Sequence, residues 1–565
     1  MNERPVARDA VEERPRVAAE MTLLVDAGSA WTKAAVVARS RGRWRLAAHV
    51  AQPTAWGEAE LRSSLVARLV GVVDRRVADR LPELLAVAPR ISCHTPRRAG
   101  RLALGAVSAE LSGASARRAA ESAGWTVEVS ATADDGRSLV DRVAALQDAE
   151  VDAWLLCGGF DAAGADQALE MASLVAAARG SSDAPVIWAG AASLADDVAL
   201  LFEQGAVTVV DNPRPAPTRE NPVPLRHALE DLLQRVVEPA GTRQHTPVAF
   251  RRSVSQLAAS AGRRIVGVDV GARYLTWAQA DESGSAESRV FAAGGLAGAR
   301  LAGGGPGRLA RWIPMLIDEM AVADGLQNLH ARPATLPQTE DELAIMQAAV
   351  RHQLAAAADS ERGEMEEGID LLIGAGRSLA AAPRPSHAVQ LLLDGVRPVG
   401  VTQLALDSSG VLPPLGALDD SEIAEGMGVL RDDLLVPLGT SVVTRGGRPG
   451  QVVMRVTVHR TGWPPIGPLD VRTGQLQVVP LARGHEAELE IELLQGASLG
   501  GARRARRMTA MAMGGAVGLV LDARGVPLPV PRRPDDRRAV LAAWRDAVVR
   551  EPAVMTLDPS LVGER

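Results

Sequence analysis

Twice in this chain an apolar run ends in Asp, one small or apolar residue, and Gly. The first is Leu23-Leu24-Val25-Asp26-Ala27-Gly28 and the second is Ile265-Val266-Gly267-Val268-Asp269-Val270-Gly271. The two aspartates lie 243 residues apart, so this is not the short period of a stacked repeat array. The spacing suits two related lobes that face one another. At each site the pattern predicts a buried strand running into a tight turn, where Gly lets backbone N–H groups point into a concavity that accepts phosphate oxygens. A carboxylate at the strand end does not bind phosphate, but it can hold Mg2+ through waters. One Asp-x-Gly turn also marks many plain hairpins. A pair of them, each opening a lobe, could grip a triphosphate from both sides.

Among 62 basic residues there is one lysine, Lys33, and it follows the first turn in Asp26-Ala27-Gly28-Ser29-Ala30-Trp31-Thr32-Lys33. Everywhere else the cation is Arg. A coding bias towards Arg leaves Lys only where Arg does not serve, and an ammonium is a compact point charge whereas guanidinium is a wide planar fork. Lys33 is therefore expected to reach a phosphate from the turn formed by Gly28 and Ser29. The plainer alternative is a lysine that escaped the bias on an exposed strand.

A chain of 565 residues exceeds one hydrophobic core. A net charge of −6 and an aromatic content of 3% give no electrostatic or stacking basis for nucleic acid. Two cysteines, Cys93 and Cys157, are too few for a disulfide framework or a four-thiolate zinc site. No apolar stretch reaches membrane-spanning length and no signal peptide is evident, so no membrane partner and a cytoplasmic location are expected.

Residues 1–20 read as a disordered tail. The first lobe is placed at 21–262, the second at 263–419 and a C-terminal β module at 420–565. From Gly100 to Ala189, strand and helix patterns alternate, which predicts an α/β fold with a largely parallel sheet. The stretch 21–55 reads as two strands joined by a charged turn. The polar stretch 239–253 reads as a linker between lobes, and a single helix is expected at 308–324. After about residue 419 period-two alternation dominates, as in Val453 to His459 and Ala487 to Glu492, and a short helix at 537–550 closes the chain.

A third segment, Leu371-Leu372-Ile373-Gly374-Ala375-Gly376-Arg377-Ser378-Leu379, predicts a buried strand and a Gly-rich turn opening towards a helix. Such a turn lets the backbone approach a base or ribose, although it is equally a structural strand-to-helix turn. Gly303 to Gly307 reads as a connector, and the run Arg503 to Arg507 as a solvated edge.

These segments, in this order, resemble the glutamate mutase L family, accessory proteins of adenosylcobalamin-dependent mutases. That family opens with a segment like Asp-Ile-Gly-Ser-Thr-Tyr-Thr-Lys, which Asp26 to Lys33 matches at five of eight positions. The resemblance continues at Gly100 to Val107, at Cys157-Gly158-Gly159-Phe160-Asp161, at Pro185 to Gly190, and in the later stretches Ile373 to Leu379 and Gly514 to Gly525. It implies a two-lobed actin-like ATPase (ribonuclease H-like) fold carrying the extra C-terminal β module. It also implies a chaperone-like accessory or reactivation function, ATP and Mg2+ as cofactors, and mutase subunits as partners.

On this reading Asp26, Gly28, Ser29, Thr32 and Lys33 form one side of the nucleotide site. Asp269 and Gly271 form the other, Gly374 and Gly376 back the adenosine, and Gly158 and Gly159 contribute a further turn. Asp26 and Asp269 are the metal partners. The second turn departs from the family's Asp-x-Gly-Gly-Ala-Thr-Thr-Asp: here it is Asp269-Val270-Gly271-Ala272-Arg273-Tyr274-Leu275-Thr276. Thr276 stands where the family has its second carboxylate, which argues against efficient hydrolysis. Two alternatives remain at this stage. One is a scaffold protein with a degenerate nucleotide site; the other is a small-molecule kinase of the same fold, for which Asp161 is the candidate base.

Overall fold

The computed structural model describes residues 21–40, 43–73, 75–160, 165–203, 206–237, 244–301, 305–361, 368–418, 433–500 and 505–549. The expected tail at 1–20, Asp161, and Arg503 and Arg504 of the Arg503 to Arg507 run lie outside these residues. In chain order the strands are β1 (Met21–Ala27), β2 (Trp31–Ser40), β3 (Arg43–Pro53), β4 (Arg90–His94), β5 (Gly100–Ala106), β6 (Trp125–Thr132), β7 (Ala153–Cys157), β8 (Val186–Trp188), β9 (Val207–Val209), β10 (Gln244–His245) and β11 (Ile265–Val270). They continue as β12 (Leu275–Ala280), β13 (Ala286–Phe291), β14 (Leu371–Ala375), β15 (Gly400–Asp407), β16 (Leu435–Val443), β17 (Val452–Arg460), β18 (Ile466–Arg472), β19 (Leu476–Val479), β20 (Glu486–Leu493), β21 (Arg507–Met513) and β22 (Gly518–Asp522).

The chain divides into two compact units. Unit 1 holds residues 1–92, 252–286 and 293–565, and unit 2 holds 93–251 with 287–292. The chain leaves unit 1 at Ser92 and returns at Arg252, so the stretch 21–262 contributes to both units. Unit 1 therefore contains both Asp-x-Gly segments.

In unit 1, β1 and β2 form an antiparallel hairpin with Asp26 opposite Lys33, and β3 pairs antiparallel with β2. The region read as two strands holds three, because Gly28 to Ala30 is itself a turn between β1 and β2. One face of this sheet is closed by the helix Gly57–Leu69, whose Leu61, Leu65 and Leu69 are buried. Residues four apart lie on one helix face, which is why this spacing forms a core-facing stripe.

The larger sheet of unit 1 has the order β12-β11-β14-β15-β16-β22-β19. Here β11 pairs antiparallel with β12 and parallel with β14, and β14 runs parallel to β15. β11 is buried at all six positions, as expected for a strand covered on both faces. The helix Glu340–Ser360 packs nearby and begins with a reciprocal capping box between Thr339 and Glu342. The helix expected at 308–324 is two helices, Gly305–Ala310 and Glu319–Ala331, separated around Pro314, which has no N–H to continue a helix. The stretch 239–253 is not wholly a linker, since the helix Thr246–Ala261 begins inside it.

The C-terminal strands are present as expected, and they are shared between two sheets. β16, β22 and β19 extend the larger sheet, while β18-β17-β20-β21 form a separate antiparallel sheet. Both sheets feed one core that includes Val442, Val456, Leu489, Ile491 and Leu519. The closing helix runs Pro534–Val549.

Unit 2 holds a wholly parallel sheet in the order β6-β5-β7-β8-β9. Alternate residues of its strands face two cores. One contains Leu102, Leu104 and Trp125, and the other contains Trp154, Leu156 and Trp188. Helices cover both faces, so the β-α alternation legible from Gly100 to Ala189 is the architecture found.

Candidate functional site

The two Asp-x-Gly segments fold into the same hairpin. In each, the Gly N–H donates to the carbonyl three residues later: Gly28 to Trp31 at 3.1 Å and Gly271 to Tyr274 at 3.0 Å. A Cβ on Gly28 would lie 2.4 Å from the Trp31 carbonyl oxygen, so the first turn admits no side chain there. The strand register matches too. Asp26 faces Lys33 across β1 and β2, and Asp269 faces Thr276 across β11 and β12. Thr276 thus occupies in the second hairpin the place that Lys33 holds in the first.

Each turn is held from behind through its carbonyl groups. Thr54 Oγ1 donates to the Gly28 carbonyl and Thr54 N–H to the Ala30 carbonyl, while Thr32 Oγ1 donates to Thr54 Oγ1. In the second turn the carbonyls of Gly271, Ala272 and Arg273 accept from the N–H groups of Leu296, Ala297 and Gly295 respectively. Gln353 ties that strap down by donating through Nε2 to the Ala293 and Gly295 carbonyls. Ser29 and Arg273 remain exposed at the two tips.

Lys33 is not on an exposed strand. Its Nζ donates to Asp26 Oδ2 at 2.5 Å, and both residues are buried. Burial works against the ammonium, but the carboxylates of Asp26, Asp269 and Asp407 outweigh it and raise the Lys33 pKa. The charges of both hairpins therefore converge on one amine. Its stem is confined as well. Gly410 has φ of +69°, and a Cβ there would lie 2.3 Å from Lys33 Cδ. A planar guanidinium has no such slot to enter, which accounts physically for lysine here.

Asp407 is the participant that the sequence reading did not single out. It ends β15 and accepts from the N–H groups of Gly410 at 2.8 Å and Leu412 at 2.9 Å. Burial pushes its carboxyl pKa up, and those N–H groups and Lys33 oppose the rise. The signal was present: an apolar strand ending in Asp with Gly three residues on, a looser version of the two turns recognised.

Asp269 differs from its counterpart. Its Oδ1 is shut away from solvent with no hydrogen-bond partner, and burial lifts its carboxyl to about 6 despite the opposing field of Lys33. Gly376, with φ of +87°, presses on that group, since a Cβ there would lie 2.4 Å from both Asp269 Oδ1 and the Val270 carbonyl oxygen. Gly374 instead packs against Leu379 and Leu392. Arg377, the next residue after Gly376, stacks its guanidinium 4.5 Å from the centre of the Trp31 ring. The Gly-rich segment thus touches both hairpins.

Asp26, Gly28, Lys33, Asp269, Gly271 and Gly376 therefore gather in unit 1, with Ser29 and Thr32 on the first turn. Gly158 and Gly159 belong to unit 2, just beyond β7. There the Gly158 carbonyl accepts from Ala191 N–H and the Gly159 carbonyl accepts from Asn212 Nδ2.

Mg2+ keeps near-ideal octahedral geometry and a shell of waters. The Asp26 carboxylate is fully buried and holds Lys33, so it has no face for a hydrated ion. Asp407 is committed to backbone N–H groups. Asp269 has an unpartnered oxygen that a metal's water would satisfy, but that oxygen is shut away from solvent, so in this structure none of the three offers an open face to a hydrated ion. No group of three or more His, Cys, Asp or Glu side chains among the described residues could hold a metal ion.

No curated protein matches the chain. Among solved structures, it is similar to a nucleotide-free acetone carboxylase, described under ATP-dependent acetone carboxylation. Identity there is 12%, with 82% of each chain covered and a TM-score of 0.28. The activator of 2-hydroxyisocaproyl-CoA dehydratase from Clostridium difficile, with bound ADPNP, matches at 8% identity over 72% of this chain and 97% of its own, with a TM-score of 0.26. Xylulose kinase from Bifidobacterium adolescentis matches at 12% identity over 72% and 93%, with a TM-score of 0.24. The fold itself is α/β, with duplicated hairpins and added C-terminal strands. Residues 22–276, which run from β1 through the second turn to Thr276, match the family model of the MutL protein, and over that span the chain is similar to this family, the glutamate mutase L family.

Proposed function

We propose that this protein is an accessory, reactivation-type ATPase-fold partner of an adenosylcobalamin-dependent mutase, and that it binds ATP at the paired hairpins of unit 1. The observation that carries the reading is the convergence of Asp26, Asp269 and Asp407 on the single lysine, held between two turns of identical hydrogen bonding. Lys33 meets a phosphate by exchanging its contact with Asp26 for one with the incoming polyanion. Gly28, Ser29 and Gly271 line the turns, and Asp269, once its enclosed oxygen is opened by the incoming ligand, would be the residue to hold a water of Mg2+. When bound, the ion neutralises phosphate charge. A nucleotide can do mechanical work here only through its differential affinity for two forms of the protein.

The match of residues 22–276 to the MutL protein family model supports an accessory role. The partner is a set of mutase subunits, and the place of action is the cytoplasm. Calorimetry with Mg-ATP tests the nucleotide site: saturable binding that is lost in Lys33→Ala supports it, and no heat at millimolar ATP refutes it. Co-purification with mutase subunits, and recovery of activity from mutase carrying damaged cofactor, test the accessory role.

A second reading, binding without turnover, is favoured by Thr276. The second hairpin offers a hydroxyl where a water-positioning carboxylate is wanted. Phosphate release at background level, with intact binding, selects it.

A further inference from the structure

A cavity of about 320 Å3 lies elsewhere in unit 1, among the helices Glu340–Ser360, Pro385–Gly395 and Pro534–Val549. Its size is at the small end of ligand sites. Trp312, Met315, Leu343 and Leu541 give it apolar walls. Arg351, Arg384, His387 and Arg545 also line it. His387 Nδ1 is buried without a hydrogen-bond partner, and after burial itself the fields that act on this ring are those of Arg384, Arg351 and Arg545. The helix Pro385–Gly395 opens beside them with no side-chain cap on its first N–H groups, so its positive dipole end adds to the same region.

Acidic lining is confined to Glu340 and Asp546, both exposed, with Asp546 3.5 Å from Arg545. Arg351 is already committed to the buried Asp394 at 2.7 Å. With Arg351 committed, Arg384 and Arg545 are balanced by the exposed Glu340 and Asp546, so the lining carries no formal excess to hold a phosphate dianion, and the site suits at most a single negative charge.

We infer that this cavity binds a small carboxylic acid, its carboxylate held by Arg384, Arg545 and His387 and its apolar body laid against Trp312 and Leu343. An anionic head satisfies the orphaned ring nitrogen, and the apolar walls gain from the body what an inorganic ion cannot supply. The site is independent of the hairpins and of the nucleotide reading.

Octanoate and inorganic phosphate serve as probes in calorimetry on the full chain. Octanoate is expected to bind saturably, about tenfold or more tighter than phosphate. The double variant Arg384→Ala/Arg545→Ala, at a surface where folding is not at stake, is expected to lose at least tenfold. Ala344→Trp, which fills the cavity, should abolish binding, while Lys33→Ala leaves it unchanged. Absence of saturable heat with octanoate overturns the inference. So does phosphate binding as tightly, or octanoate affinity that survives the double variant.

Discussion

Lys33 concentrates the electrostatics of the hairpin site in one side chain. Removing its charge takes the ammonium away from the buried Asp26 carboxylate, and breaking such a pair costs roughly 3–5 kcal/mol. Lys33→Met is therefore expected to lower the urea midpoint by that equivalent, and to abolish ATP binding. Lys33→Arg keeps the charge but not the shape. With Cδ already pressed on Gly410, it should weaken ATP binding well beyond twofold, as calorimetry would read. Wild-type affinity in Lys33→Arg would refute the steric account.

Asp269 makes a separate, pH-dependent statement. Its carboxyl is raised to about 6, so between the ordinary value of 3.8 and about 6 the folded state keeps a proton that the unfolded chain releases. Stability is thereby lost as pH rises through this window, and above it the full cost, roughly 3 kcal/mol at 1.4 per unit, applies. Asp269→Asn removes the charge and should stabilise the protein at pH 8 while leaving it unchanged at pH 4. Urea melts at both values check this, and an equal effect at the two would contradict the assigned burial.

Elements, rather than residues, explain why the two turns hold their shape. The first is braced by one side chain, Thr54, and the second by a backbone strap that Gln353 fastens. Gln353→Leu takes the side-chain donor from the Ala293 carbonyl, while the Gly295 carbonyl keeps the Gly298 N–H. Orphaned groups of this kind cost about 1–3 kcal/mol. The variant should lower stability by that amount and loosen ATP binding, with the first hairpin intact. Unchanged hydrogen exchange at residues 271–276 would count against the strap.

None of this bracing could be read in the sequence, because Thr54, Gln353 and Gly295 carry no local pattern. What could be read was local. The Asp-x-Gly turns follow from buried strands ending at glycine, and the unit 2 sheet from alternating periods of two and 3.6 residues. The stretch 239–253 does carry the passage from unit 2 to unit 1, between Arg251 and Arg252, but within the helix Thr246–Ala261 and not a loop, where Arg251 pairs with the buried Glu230. Gly376 was read as a surface for adenosine; its backbone conformation was foreseen, but its pressure on Asp269 arises from a strand pairing across about a hundred residues. Asp407 escaped for the same reason, since only β15 beside β14 brings it near Lys33.

At the scale of the molecule, unit 1 is closed by its C-terminal end. Arg524 is fully buried. It donates to Asp394 at 2.6 Å and to Asp522 at 2.7 Å, and Asp394 also accepts from Arg351. Alternating charges thus bridge the helices Glu340–Ser360 and Pro385–Gly395 to the end of β22, and Trp544 covers the chain, with its ring centre 5.0 Å from the Arg524 guanidinium. Trp544 Nε1 also donates to the Gly474 carbonyl at 2.9 Å. Trp544→Ala should therefore cost about 3–5 kcal/mol by urea denaturation, although nothing places it at the hairpins. Unit 2 presents the opposite case. Its parallel sheet is covered on both faces by its own helices, and buried pairs such as Arg251 with Glu230 close within it. A segment that satisfies its own polar groups and buries its own apolar faces has what independent folding requires. Residues 93–251 expressed alone should therefore unfold in one cooperative transition by circular dichroism. Loss of 287–292 removes contacts that include the pair of Arg289 with Glu121. A fragment that melts without cooperativity would mean that unit 2 draws its stability from outside itself.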